Sequence, residues 1–273
     1  MPRVTREEFQ TRKFRALIYG PPGSGKTFLA GTAIDVDQFC PVFYADTESG
    51  YSSIATKISK GWERTDLWSI SQIDDVAALS QALFDPSKPY KTVVIDSLTE
   101  LHALFMQQHL DSQGRSHGAP QIQDYGEISN TVLRMLRKAA RENRVNLIVT
   151  AGDTQSKDEA SGVLYTSPDV TGQLAYRVTR YFDFVGYLTT EKVRSRQEGV
   201  SQEKTVHRLQ FLPYNRIRAK ARLLNPEQAG SGVLVDTTMQ EIYNLVVGGL
   251  AVASVEDFDD DDSEKTEEMT NNG

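Results

Sequence analysis

The densest chemistry in the chain lies in eight consecutive residues between an apolar run and a helix-like one. Gly20, Pro21, Pro22, Gly23, Ser24, Gly25, Lys26 and Thr27 satisfy G-x-x-x-x-G-K-[ST] at every fixed position. Glycines at 20, 23 and 25 let successive backbone N–H groups turn inward around a phosphate, and a helix beginning near Lys26 adds its positive end. Lys26 then reaches the β/γ-phosphates, the Thr27 hydroxyl ligates Mg²⁺, and Phe28 completes the nucleotide-binding stretch. ATP with Mg²⁺ is the ligand this pattern implies. A glycine turn that binds nothing is the bland alternative, and the complete motif between strand and helix argues against it.

Hydrolysis also needs carboxylates. "KTVVIDS" puts Asp96 at the carboxyl end of an apolar strand, where its carboxylate holds Mg²⁺ with Thr27. Ser97 follows, where AAA+ motors carry the glutamate that activates water, so that group must come from elsewhere. Glu48 in "VFYADTESGY" stands just past a second strand, on the same rim if the sheet is parallel. There it can take a proton from a water aimed at the γ-phosphate. Asp46 is its rival, and a solvated loop acid is the third reading.

The positioning elements alternate. Strand-like runs at Arg15–Tyr19, Val42–Ala45, Leu67–Ile70, Thr92–Asp96 and Asn146–Thr150 are separated by helical patterns, and two more follow at Phe182–Leu188 and Thr205–Phe211. Ser71 with Asp74 caps a helix over Asp74–Phe84; Thr238 with Glu241 opens another that Gly248 and Gly249 close. The fold class expected is α/β, a mostly parallel sheet with helices on both faces and an antiparallel C-terminal extension. The polar, glycine-containing stretches 107–126 and 152–162 read as mobile loops. Domain boundaries fall at 1–13, an N-terminal arm; 14–250, the core; and 251–273, an acidic disordered tail.

Composition narrows the setting. The lone Cys40 excludes a disulfide scaffold, and no apolar run approaches the roughly 20 residues of a membrane span. A soluble, cytoplasmic protein is expected. The net charge of −7 comes from the tail, because Ser254–Gly273 holds nine acidic residues and one lysine. That tail either solubilises or competes with nucleic acid for a basic surface. A basic surface is offered by Lys204–Arg222, with six Lys/Arg and no Asp or Glu.

In this order, "GPPGSGKT", strand-"DTESG", "TVVIDS", a polar loop, a long helix and "NLIVT" resemble the RecA-like ATPases. "YTSPDVTGQLAYRVTRYFDFVGYL" and "RIRAKAR" are similar to the C-terminal half of compact phage-encoded members that anneal single strands or mediate recombination. The resemblance covers about residues 12–250. It implies a RecA-like core, Glu48 as the water-activating residue, DNA-binding loops at 107–126 and 152–167, single-stranded DNA and a homo-oligomer as partners, and host-cell cytoplasm for a phage protein. A single-strand-binding protein is a further candidate partner. It also implies that Lys220 and Arg222, a K-x-R pair, reach from one subunit to the γ-phosphate of the next; a basic strand face is the plain alternative. The γ-phosphate-sensing glutamine of the family has no direct match, Gln155 being the nearest.

The function this supports is Mg²⁺-dependent ATP hydrolysis on single-stranded DNA, serving annealing or recombination. Competing readings are an ATP-locked annealing module without turnover, a P-loop nucleotide kinase, and a helicase loader, which Ser97 disfavours. His102 and His109 lack companions for a metal set. Tyr125, Tyr165 and Tyr176 read as base stackers or, more plainly, as packing residues.

Overall fold

A computed structural model describes residues 12–55, 61–157, 162–171, 174–197, 200–222 and 229–252. The acidic tail and most of the N-terminal arm lie outside these residues.

Five strands supply the parallel core: β1 (Arg15–Tyr19), β2 (Val42–Asp46), β3 (Thr65–Ser69), β4 (Thr92–Asp96) and β5 (Asn146–Ala151). Their spatial order is β1-β5-β4-β2-β3, all neighbours parallel. All of β1, β2, β4 and β5 is buried, because both faces are covered and an apolar run without alternation is then what the sheet demands. Period 2 still sorts the side chains. Leu17 and Tyr19 join one apolar layer, while Ala16 and Ile18 join the other.

The first layer is closed by α3 (Val76–Phe84), α4 (Leu98–Ser112), α5 (Ile122–Glu142) and the short α6 (Leu174–Arg177). In α5, Ile128, Val132, Leu133 and Leu136 form the buried stripe, and Asn143 ends the helix in the left-handed region at φ 48°. The second layer holds α1 (Lys26–Gly31), the turn Thr32–Asp35 and α7 (Met239–Val252). The four-residue α2 (Ser52–Ala55) follows the β2 loop.

On the other side of β1, β8 (Phe184–Gln197) pairs parallel from Ala16↔Phe184 to Tyr19↔Tyr187. It then runs on beyond the β1 C-terminus, paired antiparallel with β9 (Val200–Gln210). Two short strands complete this edge: β10 (Lys220–Ala221) on the start of β8 and β11 (Val233–Val235) on β9. The antiparallel extension is thus present, and its strands are longer than the apolar pattern indicated, because outside the core both faces of the hairpin are polar and periodicity is silent.

Several boundaries move. β3 begins two residues earlier than expected. The capping box stands one residue later than expected: Gln72 caps a 3₁₀ turn, Ile73–Asp75, that leads into α3, and the Asp75 carboxylate, not that of Asp74, accepts the N–H groups of Ser71 and Gln72 at 3.0 Å. Thr238 N–H does reach Glu241 at 3.0 Å, but α7 runs through Gly248 and Gly249 to Val252. Only the ends of stretch 107–126 are helical: α4 continues to Ser112 and α5 starts at Ile122, with a loop at 113–121 between them that Asp124 ties by accepting from Arg115 at 2.6 Å and Gln121 N–H at 2.6 Å. Stretch 152–162 enters β6 (Asp153–Lys157), which pairs with β7 (Leu164–Pro168); residues 158–161 lie outside the described residues.

Candidate functional site

The C-terminal rim of the parallel strands gathers the residues singled out by type. The Gly20–Thr27 loop joins β1 to α1. Gly20 is forced by close approach, since a Cβ there would stand 2.1 Å from the Leu188 carbonyl oxygen. Gly23 and Gly25 occupy φ 77° and 95°, the left-handed region that favours glycine. Lys26 folds across the loop and donates to the Gly20 and Pro21 carbonyls at 2.9 and 3.0 Å. Burial lowers its pKa, and the neighbouring Glu48, Asp96 and Asp153 act against that. Among the described residues Ser24 Oγ is buried without a hydrogen-bond partner. An orphaned buried hydroxyl between glycines at 23 and 25 fits a phosphate seat.

The loop after β2 is fastened to the end of β4. Thr47 N–H donates to the Asp96 carbonyl at 2.7 Å, and the Thr47 hydroxyl accepts from Ser97 N–H at 2.7 Å. Asp46 accepts the N–H groups of Glu48, Gly50 and Tyr51 at 3.0, 3.1 and 3.0 Å. Its carboxylate shapes the loop, and it is nearly fully buried. Glu48 is exposed and accepts a hydrogen bond from the Ser97 hydroxyl. A carboxylate thus stands beside Ser97 in space, brought there by the loop after β2. Gly50 lets this loop lie against Thr27, whose hydroxyl a Cβ would meet at 3.4 Å.

Asp96 is 1% exposed. It accepts from the Tyr44 hydroxyl at 2.7 Å, from Thr150 and from Thr27. Burial raises its pKa against those three hydroxyls, with Glu48 adding to the rise. Burial favours the neutral acid, the three hydroxyls favour the carboxylate, and a bound cation would favour the carboxylate further. Thr27 and Asp96 would hold Mg²⁺, which typically keeps several waters beside one or two carboxylates. Among the described residues no group of three His, Cys, Asp or Glu could hold a metal ion. His102 instead shares a hydrogen bond with Thr171 at 3.1 Å, and His109 with Asp124 at 2.9 Å.

Sequence reasoning missed Tyr44, Thr150 and Asp153. Asp153 opens β6, accepts from the Tyr187 hydroxyl at 3.1 Å and lies near Lys26. Gln155 sits further along, with its amide on the Thr166 hydroxyl at 3.3 Å.

Lys220 and Arg222 are elsewhere. Within one chain they stand by the start of β8, at the opposite end of the strands from the Gly20–Thr27 loop. Lys220 donates to the Thr179 carbonyl at 2.7 Å, and burial together with Arg222 lowers its pKa to about 8. Arg222 donates to Asp183 at 2.9 Å. Three of the basic residues in the stretch are paired with acids from other segments: Lys204 with Asp236, Arg208 with Glu191 and Arg222 with Asp183.

Folded in this way, a phosphate loop beside a buried carboxylate and an exposed glutamate describes a P-loop nucleotide-binding site on a mostly parallel α/β sheet. Residues 12–223 match the AAA domain family, and the chain belongs to it. No curated protein matches the chain. Among solved structures, the RadB recombinase is similar at 18% identity and TM-score 0.42, covering 76% of this chain and 82% of its own. No helix among the described residues is long and apolar enough to cross a membrane.

Proposed function

We propose that the chain is a RecA-like, Mg²⁺-dependent ATPase that assembles with further copies of itself on single-stranded DNA and serves annealing or recombination. The observation that carries the hydrolytic part is the Glu48–Ser97 hydrogen bond. It holds an exposed carboxylate beside Asp96 and close enough to Lys26 to act on its charge. In this reading the Gly20–Thr27 N–H groups and Lys26 bind the phosphates, and Thr27 and Asp96 hold the metal. Glu48 takes the proton of the attacking water, and Asp46 keeps the loop in shape.

The DNA part is supported by a surface beyond that rim. The Arg218 guanidinium lies 4.4 Å from the Tyr165 ring centre and 4.9 Å from that of Tyr176, and Arg180 lies 5.0 Å from Tyr176. Tyr176 is half exposed, and Tyr214 and Arg216 are exposed nearby in sequence to Arg218. Aromatic faces interleaved with guanidinium groups suit stacked bases and phosphates. The K-x-R finger across a subunit boundary and a cytoplasmic location belong to the same proposal.

The test is ATP turnover with and without single-stranded DNA. Lys26→Ala is expected to lose nucleotide binding or turnover. Glu48→Gln is expected to keep ATP bound while hydrolysis slows by about 10²- to 10⁴-fold, the range of a lost general base. Normal turnover in Glu48→Gln sinks the assignment. Tight DNA binding with no turnover in the parent favours the ATP-locked annealing module.

A further inference from the structure

The Ser24–Gly25 peptide lies in the middle of the phosphate loop, and its orientation decides what the loop offers. A trans peptide points its C=O and N–H in opposite directions. This bond is trans, the cis bonds being Cys40–Pro41 and Asp96–Ser97 among the described residues. Gly25 at φ 95° imposes no side-chain constraint on which way the peptide faces. Backbone bonds flank it, Ser24 N–H to the Pro21 carbonyl at 3.2 Å and Leu29 N–H to the Gly25 carbonyl at 2.9 Å, and a group outside the loop meets the Ser24 carbonyl itself.

That group is His207. Its Nδ1 lies 2.8 Å from the Ser24 carbonyl oxygen, across 183 positions of sequence. A carbonyl only accepts, so Nδ1 carries the proton. The ring is pressed against the loop: a Cβ on Gly25 would stand 2.9 Å from Nδ1. His207 is itself held in place. Its N–H donates to Asp236 Oδ1 at 2.8 Å, Asp236 N–H returns to the His207 carbonyl at 2.8 Å, and Lys204 pairs with Asp236 Oδ2 at 3.0 Å.

We infer that His207 is a positioning residue for nucleotide binding: by pinning the Ser24 carbonyl toward β9, it turns the Gly25 N–H away from β9 and makes it available to a phosphate. With the pin removed, the peptide is free to flip and put a carbonyl where a donor is needed. The inference rests on Gly20–Thr27 being the phosphate site, and it adds a residue that no part of the loop motif contains.

The test uses the full chain and a fluorescent ADP analogue, titrated against the parent, His207→Asn, His207→Gln, His207→Phe and Lys26→Ala. The amide nitrogen of Asn lies as many bonds from Cα as the imidazole Nδ1, that of Gln lies one bond further, and Phe keeps a ring without a donor. Asn is expected to bind within about threefold of the parent. Gln and Phe should bind about tenfold more weakly, the loss of one hydrogen bond worth roughly 1.4 kcal/mol. The effect should fall on KM for ATP far more than on kcat. Thermal unfolding of each variant reports its folding, and the Asn/Gln contrast does not depend on ring packing. Parent-like binding by His207→Phe, or equal loss in Asn and Phe, overturns the inference while Lys26→Ala still shows that the loop binds nucleotide. A parent that binds nothing overturns the phosphate-site reading and this inference with it. NMR of the His207 ring gives an answer without any ligand: an Nε2–H tautomer overturns it.

Discussion

Two buried carboxylates stand at opposite ends of the strands, and they are neutralised in different ways. Asp96, at the C-terminal end of β4, accepts from the hydroxyls of Tyr44, Thr150 and Thr27 with Lys26 nearby, and burial raises its pKa. Asp183, just before β8, is met by the guanidinium groups of Arg12, Arg15 and Arg222. Arg15 also donates to the Ala140 carbonyl near the end of α5, while Arg222 and Lys220 donate to the Arg180 and Thr179 carbonyls. Hydroxyl donors bring no counter-charge onto a carboxylate, whereas three arginines supply it within the fold. The first arrangement is kept ready for something that arrives; the second holds segments 12–15, 140, 179–183 and 222 together.

The sharpest challenge to that division is the proposed finger, since it asks Lys220 and Arg222 to leave a satisfied cluster and act on a neighbour. If they do, Lys220→Ala/Arg222→Ala should bind ATP but lose turnover by about 10³- to 10⁵-fold, the worth of such charge stabilisation in phosphoryl transfer. Mixing this variant with Glu48→Gln, each inactive alone, should restore part of the activity at interfaces that pair an intact Glu48 with an intact finger. A mixture that stays inactive despite confirmed mixed assembly returns the pair to the Asp183 cluster alone.

The next effect is on stability. Asp183→Asn leaves Arg12, Arg15 and Arg222 facing one another without a counter-charge. Unfolding free energy in urea should drop by about 3 kcal/mol, as for a broken buried pair. A loss under about 0.5 kcal/mol would mean that the cluster holds nothing.

Asp96→Asn should act with the opposite sign in metal-free protein. Burial raises the native pKa of Asp96, so the native state binds the proton more tightly than the unfolded chain, and stability falls as pH climbs from the ordinary carboxylate range through that raised value. The amide removes this penalty. In EDTA at pH 7 the variant should melt about 2–4 °C above the parent, the difference vanishing toward pH 4, while Mg²⁺-dependent turnover is lost. A variant less stable than the parent at pH 7 would show that Asp96 already has its counter-charge within the chain.

The strand, glycine loop and helix around Gly20–Thr27 were legible in sequence, because their requirement is local: eight contiguous positions, each constrained by its own backbone or by the next turn of helix. So were the buried parallel strands, whose apolar runs answer to coverage on both faces. The C-terminal end of α7 and the two ends of stretch 107–126 were misread where composition stood in for structure. Glycine at 248 and 249 does not stop a helix that packs on the Thr32–Asp35 turn, and polar residues at 107–112 and 122–126 belong to two helices joined by a loop tied by Asp124.

Sequence by itself determined which residues could do chemistry, and the order in which β1, β2 and β4 would deliver Lys26, Glu48 and Asp96. Only the tertiary structure decided which of them meet. Glu48 reaches Ser97 across 49 positions, His207 reaches Ser24 across 183, and Arg15 reaches Asp183 across 168. Periodicity reports what a residue does to its own element within a few positions; partners at these separations are set by strand order and register, which a hydrophobic pattern leaves open.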